Sequence, residues 1–349
     1  MKIKSGFLLG PALLMASALF AQVAGAPTVA PTPMTEKEVI TELKKDGADQ
    51  LLKDVDRRGV AFEMDADTEK RLRKVKATDE VIKAVTAAGP KERAAAAKAA
   101  AMASGGVVLS PEETADFKAL QTELDPDKAI SLCDAFVQKH PKSDVITYVY
   151  AFEANAYQIK GDAAKIVEYG EKSLALKKDN LMSLLIVAYA MPTPQYINLH
   201  RGDEEKQLTQ AESYCQQAIT AVNDLKKPAA ESDTDFARRK ATYISGVHAD
   251  LGMIHLDRAQ LGLMGLDKGE LAKAEEEYKL AVSTSEHPDP SDYYRMGEAC
   301  RLQGKLDDAI AAFTQASERG QGTVVKQYAD QQLDMLKKAK AQSAAPAKP

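Results

Sequence analysis

The stretch that decides the fold runs from Asp292 to Gln321 and reads DYYRMGEACRLQGKLDDAIAAFTQASERGQ. In its second half, Ala309, Phe313 and Ala316 are spaced four and three residues apart, which places them on one stripe of a helix. Small residues at two of these positions let a neighbouring helix approach closely, and the ring fills the gap between them. The first half carries another helical pattern, in which Tyr, a Met-Gly pair and Cys follow at similar intervals. The stretch therefore predicts two closely packed helices.

The small–large–small pattern of the second helix recurs along the chain. The four upstream copies, two of them degraded, are Ala274-Tyr278-Ala281, Ala211-Cys215-Ala218, Ala129-Cys133-Phe136 and Ile166-Gly170-Ser173. The pattern of the first helix also recurs, at His248-x-x-Leu251-Gly252-x-x-His255, Tyr150-x-x-Glu153-Ala154-x-x-Tyr157 and Leu184-x-x-Val187-Ala188-x-x-Met191. Ala188 follows Ala154 by 34 residues. Self-similarity at such a period is typical of a chain built from repeated helical hairpins.

These residues resemble the two halves of the tetratricopeptide repeat (TPR), whose signature is W-x2-L-G-x2-Y followed by A-x3-F. The resemblance covers residues 107–341 and implies an all-α, right-handed TPR-like α-solenoid of about five helix-turn-helix units. Ser110-Pro111-x-Glu113 is the start signal of its first helix. Apolar residues between Val325 and Leu336 predict a final helix that caps the array.

The chain departs from the TPR signature at several positions. It contains no Trp, Glu153 stands in an apolar slot and Gly170 stands in a large one. Two insertions, at 192–203 and 262–269, interrupt the third and fourth units. These departures concern the packing of the second unit and the boundaries beside the insertions.

In TPR solenoids the first helix of each repeat lines a concave groove, so the resemblance also implies a set of partner-binding residues. Carried over to this chain, they are Asn155, Gln158, Tyr189, Met253, Tyr294, Glu298 and Arg301, with Ala151, Leu185 and Ala249 beside them. The lining mixes amide, aromatic and charged groups, which suits an extended peptide or a helix of a partner.

Outside the repeats the composition changes several times. We expect a signal peptide at 1–26, a Pro-rich spacer at 27–34, a small four-helix module at 35–88, an Ala/Gly-rich linker at 89–106, the repeat domain at 107–341 and a disordered tail at 342–349. Thr35, Asp65 and Thr78 are the expected N-caps within the module. The module weakly resembles a short helical module that precedes repeat arrays in some exported bacterial proteins.

The first residues predict export. Two lysines precede an apolar stretch at 7–24 that ends in small residues. Cleavage after Ala26 fits the A-x-A rule, but Pro27 follows directly, so cleavage after Ala21 or Ala24 is an alternative. Retention of the segment as a membrane anchor is another. We expect a periplasmic or secreted protein without stable membrane insertion after cleavage.

The remaining chemistry of the sequence argues against an active site. Hydrophobic residues make up 45% and charged residues 28%, which are globular values, and the formal net charge of −5 without a basic face excludes nucleic acid as the expected partner. We find no nucleophile elbow, zinc-protease motif, P-loop or dinucleotide fingerprint. We therefore predict no catalytic residues, no metal and no cofactor.

Two groups of residues could suggest chemistry but are better explained as core. His248 and His255 share a helix face near Asp250 and Asp257, as metal ligands could, but both histidines occupy aromatic slots of the repeat signature. The three cysteines, Cys133, Cys215 and Cys300, also occupy signature positions. A disulfide or reactive thiol is the alternative to burial as small hydrophobic groups.

The predicted function is that of a non-catalytic exported scaffold or adaptor, which binds a protein or peptide partner in its concave groove. This function rests on analogy of fold. The first alternative is a structural subunit or assembly factor of an envelope or secretion complex, acting through the convex face and the insertions. The second is a helical-repeat hydrolase or metal binder. The sequence leaves the identity of the partner and the oligomeric state open.

Overall fold

The computed structural model describes residues 33–92, 109–228, 231–261 and 265–344, with side chains up to residue 341. The predicted signal peptide, nearly all of the Pro-rich spacer, and most of the linker and tail lie outside these residues. The described residues form two compact units, one that ends at Glu112 and one that begins at Glu113. Within the described ranges, every helix falls short of the length or apolarity that crossing a membrane requires.

The N-terminal unit contains the helices α1 (Glu36–Lys45), α2 (Gly47–Arg58), α3 (Ala66–Lys74) and α4 (Asp79–Ala87). Thr35 forms a capping box with Glu38, and the side chains of Asp65 and Thr78 accept hydrogen bonds from the first turns of α3 and α4. All three predicted N-caps are therefore confirmed. Its core is built from apolar residues of all four helices: Val39, Leu43, Leu51, Val55, Leu72, Val81, Ile82 and Val85.

The second unit is a series of helical hairpins. Its helices are α5 (Pro111–Thr122), α6 (Pro126–Lys139), α7 (Ile146–Lys160), α8 (Ala163–Leu176), α9 (Leu181–Ala190), α10 (Pro194–Ile197), α11 (Glu204–Asn223), α12 (Asp233–Arg258), α13 (Lys268–Thr284), α14 (Pro290–Leu302), α15 (Leu306–Arg319) and α16 (Val324–Ala344). The five repeat units are α5–α6, α7–α8, α9–α11, α12–α13 and α14–α15. The all-α, TPR-like solenoid fold predicted from the sequence is confirmed, with α16 as the final helix.

Contacts between units give the stack two different sides. From α6 onward each helix packs on the next one in the repeat order, α5 packs on α6 through Phe117 and Phe136, and α7, α9, α12, α14 and α16 also contact one another in succession. The first helices of the units therefore lie side by side. We call the surface formed by α7, α9, α12 and α14 the inner face, and the side that carries α8, α11, α13 and α15 the outer face.

A glycine on the first helix and a ring on the second hold two of the hairpins together. A Cβ added to Gly252 would lie 2.9 Å from the ring of Tyr278, and one added to Gly297 would lie 2.8 Å from the ring of Phe313. Both rings are fully buried. The small–large–small residues around them, Ala274, Ala281, Ala309 and Ala316, are fully buried too. The predicted close approach is confirmed in these units, because the ring occupies the volume that a side chain at the glycine would need.

In the second repeat unit, α7–α8, a different contact replaces the ring. Gly170 occupies the large slot, and Val187 of the next unit fills the space, with its Cγ2 overlapping the place where a Cβ at Gly170 would lie. Beside it, the hydroxyl of Ser173 donates to the carbonyl of Thr147 at 2.7 Å, and the hydroxyl of Ser183 donates to that of Ser173 at 2.7 Å. This hydroxyl network is buried. Hydrogen bonds therefore join the helices here, whereas a ring joins them in the later units.

The two histidines of the fourth unit join its helices. His248 Nδ1 lies 2.7 Å from a carboxylate oxygen of Glu277, and His255 Nδ1 lies 2.7 Å from one of Glu270. Both glutamates are on α13, so the pairs link α12 to α13. His255 is buried, in line with the predicted core role.

The three cysteines are free and buried, as the core interpretation predicted. They lie in the first, third and fifth units, at Cys133, Cys215 and Cys300. Burial raises the pKa of each thiol, to about 11 for Cys300. The thiols are therefore protonated at neutral pH and are poor nucleophiles.

The first insertion, at 192–203, is folded. Thr193 caps the short helix α10, which is followed by a 3-10 turn at Asn198–His200. Tyr196 is buried, and its hydroxyl lies 3.4 Å from the side-chain oxygen of Gln207 on α11. Leu199, in contrast, is 63% exposed. The insertion therefore has its own anchor on the unit and an apolar residue open to solvent.

The glycine–ring contact can be tested on α12 with a matched pair of variants. Gly252→Ala should lower the free energy of unfolding by about 1–3 kcal/mol, because the new methyl group overlaps the Tyr278 ring. Gly246→Ala, on the same helix but with no atom within 4 Å of the added Cβ, should raise it by about 0.5–1 kcal/mol through helix propensity. Denaturant unfolding measures both. Equal effects of the two substitutions would contradict a special role of the contact.

Candidate partner-binding face

Two first helices, α12 and α14, bring charged side chains together on the inner face. They are Asp250 and Asp257 on α12 and Asp292, Arg295 and Glu298 on α14. The spacings of seven on α12 and of three on α14 keep each set on one side of its helix. The helices contact each other, and Arg295 acts electrostatically on all four carboxyl groups. We call these five residues the acid–arginine cluster.

The side chains of the acid–arginine cluster form no ion pair or hydrogen bond with the described residues. In the part of the chain that the structure describes, none of the five forms an ion pair within 4.0 Å or a side-chain hydrogen bond. Asp250 and Asp292 are only 8% and 9% exposed, whereas Asp257, Arg295 and Glu298 are half-buried. Buried charged groups are normally paired. Because these five have no such partner among the described residues, their polar atoms are available to a group from outside the chain.

Two other buried charges of the same units, Glu275 and Arg239, are paired. Burial alone would raise the pKa of Glu275 on α13, but hydrogen bonds from Lys279, Lys305 and Gln303 lower it to about 2. Likewise, Arg239 forms a two-bond pair with Glu231 at 2.9 and 2.6 Å. The repeat units thus satisfy charges that hold helices together, and the acid–arginine cluster is an exception on the inner face.

Tyr278 adds an unpartnered hydroxyl to this region. Its ring packs on Gly252 and is 0% exposed, and its Oη has no hydrogen-bond partner among the described residues. The hydroxyl interacts electrostatically with Arg295, Asp292, Asp257 and Glu298, so it lies near the acid–arginine cluster. A buried hydroxyl without a partner costs about 1–3 kcal/mol.

Burial determines the protonation of the three aspartates. It raises the pKa of Asp292 to about 8, with repulsion from Asp289 adding to the effect and Arg295 opposing it. It raises the pKa of Asp257 to about 7, again against the attraction of Arg295. Burial and the nearby Asp292 raise the pKa of Asp250 well above its ordinary value. Asp250 and Asp292 therefore hold protons at neutral pH, and Asp257 is about half protonated, so an incoming cation would displace protons from the cluster.

Two of the residues predicted to bind the partner, Glu298 and Tyr189, belong to the acid–arginine cluster or interact with its aspartates, and Tyr294 and Arg301 interact electrostatically with Glu298. Glu298 belongs to it. Tyr189, on α9, is half-buried, and burial and the charge of Asp250 raise the pKa of its hydroxyl.

The other predicted residues are spread along the inner helices. Tyr294 packs edge-on against Phe313 at 5.3 Å between ring centroids and also contacts Tyr328 of α16. Arg301 is half-buried, with an Nε that is buried and has no partner. Met253 is buried on α12. On α7, Gln158 is buried and Asn155 half-buried, and neither belongs to the cluster.

Four residues of the acid–arginine cluster were missed by the TPR comparison. Asp250 and Asp257 were considered only as neighbours of His248 and His255, and Asp292 and Arg295 not at all. The helical spacing of acids on α12 and of alternating charges on α14 was the available signal. Among the described residues, no group of three or more His, Cys, Asp or Glu could hold a metal ion.

Comparison with known proteins gives limited support. No protein-family model matches the chain, and neither does any curated protein. Among solved structures, the chain is similar to a thermophilic TPR protein of Thermus thermophilus, with 20% sequence identity and a TM-score of 0.37. That match covers 60% of this chain and 90% of the other. A score this low leaves the description of the fold to the helices themselves.

The raised pKa of Asp292 predicts a pH dependence of stability. The folded state holds a proton on Asp292 up to about pH 8, whereas an unfolded aspartate loses it near pH 4, so this residue's contribution to stability falls as pH rises between these values. Asp292→Asn should raise the free energy of unfolding by about 4 kcal/mol more at about pH 8.5 than at about pH 5, because the wild type loses about 1.4 kcal/mol per pH unit between the two pKa values.

Denaturant unfolding at the two pH values measures this difference. The exposed Asp308→Asn on α15 is the control and should leave the pH dependence unchanged. An Asp292→Asn protein that loses stability with pH as steeply as the wild type would contradict the assignment.

Proposed function

We propose that the protein is an exported, non-catalytic scaffold that binds a protein or peptide partner along its inner face. The observation that carries this proposal is the acid–arginine cluster, whose buried charges lack partners on the inner face while the charges that join the helices are paired. Groups that are left unsatisfied in the free protein gain most from a ligand that completes their hydrogen bonds.

The nucleophiles and bases of the repeat unit support a non-catalytic role. The three thiols are buried and protonated. His140, His248 and His255 each lie within 2.8 Å of a carboxylate on another helix, where they link secondary structure.

A structural subunit or assembly factor of an envelope or secretion complex is the second candidate. The folded insertion favours it, because Tyr196 anchors α10 while Leu199 is exposed. An anchored loop with an exposed apolar residue can serve as a contact for a sister subunit.

Photo-crosslinking in the cell envelope separates the two candidates. A photo-reactive amino acid is placed at Asn155 or Tyr189 on the inner face, at Leu199 in the insertion, or at the exposed Glu276 on α13 as a control. We expect one partner to be crosslinked from both inner-face positions and not from Glu276. Crosslinks from Leu199 alone would support the assembly factor and contradict the groove scaffold.

Export predicts a shortened chain in the envelope. Intact mass of the purified protein should correspond to a start after Ala26, Ala24 or Ala21, since all three follow the apolar stretch at 7–24. Recovery of the full-length mass from the membrane fraction would identify a retained anchor. Recovery from the cytoplasm would contradict export.

A further inference from the structure

We propose that the acid–arginine cluster binds a lysine or arginine side chain of an extended basic segment in the partner, and that Arg295 binds an oxygen of that segment's backbone. The inference rests on the proposed function, which requires only that a partner lies on the inner face. It adds the chemistry of the residue that is recognised.

Charge complementarity favours a cationic group. Four carboxyl groups interact electrostatically with one guanidinium, so the cluster carries a net negative charge when its carboxyl groups are ionised. An ammonium or guanidinium group entering between α12 and α14 can donate to the carboxylates, which lack donors in the described chain. Hydrogen bonds to ionised groups are roughly twice as strong as neutral ones.

Tyr278 gives the second, independent observation. Its hydroxyl is fully buried, lacks a partner and lies among the charges of the cluster. The oxygen of a tyrosine hydroxyl can accept a hydrogen bond from an ammonium group while its O–H donates a hydrogen bond to a carboxylate. The same ligand that completes the aspartates would thus satisfy the hydroxyl.

The distribution of donors selects an extended segment over a metal ion. Described acidic groups do not come together in threes as a metal would require. Arg295 has donors only, which suit the backbone carbonyl oxygens of an extended peptide. Once the aspartates are ionised, the cluster attracts a cation and repels a carboxylate, so a basic segment is the ligand that the loss of their protons favours.

The groups that face the cluster come from several helices. Besides the cluster's own members on α12 and α14, they are Tyr189 on α9, Cys215 on α11, Tyr278 on α13, Asp289 before α14, and Tyr294 and Arg301 on α14. Since the tyrosines and the cysteine stay protonated at neutral pH, the aspartates are the groups that exchange protons when a cation binds.

The test uses the full mature chain and three short peptides: a Lys/Ala peptide and its Gln/Ala and Glu/Ala counterparts. Fluorescence anisotropy measures their affinities, and calorimetry in two buffers of different ionisation enthalpy counts the protons released. We expect the Lys/Ala peptide to bind most tightly, more weakly at high salt, and with release of protons near neutral pH.

Two double variants that each remove two carboxyl groups separate the cluster from general attraction. Asp250→Asn/Asp292→Asn should weaken Lys/Ala binding on the order of tenfold or more and reduce the proton release to the share of Asp257. Glu276→Gln/Asp308→Asn, at exposed positions on α13 and α15, should leave both unchanged. If the cluster variant is not folded by circular dichroism, the three peptides on the wild type still decide between the charges.

Each outcome bears on one proposal. Tighter binding of the Glu/Ala peptide, or equal binding of all three, would overturn the basic-residue inference, as would weakening by both double variants alike. Crosslinks from Asn155 and Tyr189 would uphold the scaffold even then. If inner-face crosslinks are absent but the Lys/Ala peptide binds through Asp250 and Asp292, the cluster would stand and the groove-scaffold proposal would fail.

Discussion

The close packing of the two helices within a repeat unit is the constraint on which the rest of the solenoid depends. At Gly252 and Gly297 an added methyl group would run into the ring of Tyr278 or Phe313. Such contact fixes how the first helix lies on the second helix in the fourth and fifth repeat units, and the Gly170–Val187 contact joins the second unit to the third. The first helices α7, α9, α12 and α14 then lie side by side and form the inner face.

Tyr278 joins these two properties of the fold. Its ring supplies the helix contact, and its hydroxyl lies without a partner beside the acid–arginine cluster. One residue of α13 therefore contributes to the helix contact and lies beside the proposed binding cluster. The paired charges around Glu275, on the same helix, have the opposite character: hydrogen bonds hold that carboxylate charged, whereas burial holds Asp292 protonated. The contribution of Glu275 to stability therefore falls as pH is lowered, whereas that of Asp292 falls as pH is raised.

The sequence predicts what depends on one helix at a time. The period of Ala309, Phe313 and Ala316 identifies a helix stripe, and the caps at Thr35, Asp65 and Thr78 depend only on residues within the next turn. These predictions are confirmed because local spacing determines them.

Features that depend on several helices were beyond the sequence. The hydroxyl network of the second unit joins Thr147, Ser173 and Ser183 from three helices, and no spacing identifies which hydroxyls will meet. Likewise, Asp250 and Arg295 become neighbours only when α12 packs on α14. The side chains of the candidate site belong to repeat signatures at positions that the signature leaves variable, so only the stacked helices reveal them.

The buried thiols have a consequence for how the array can be observed. Cys133, Cys215 and Cys300 are spread over alternate units, and each is closed to solvent in the intact stack. An alkylating reagent can reach one of them only when that unit opens, so the rate of labelling at each sulfur reports a local opening free energy. The chain therefore carries three native reporters, one near each end and one in the middle, which would reveal whether the hairpins come apart together or one after another from an end.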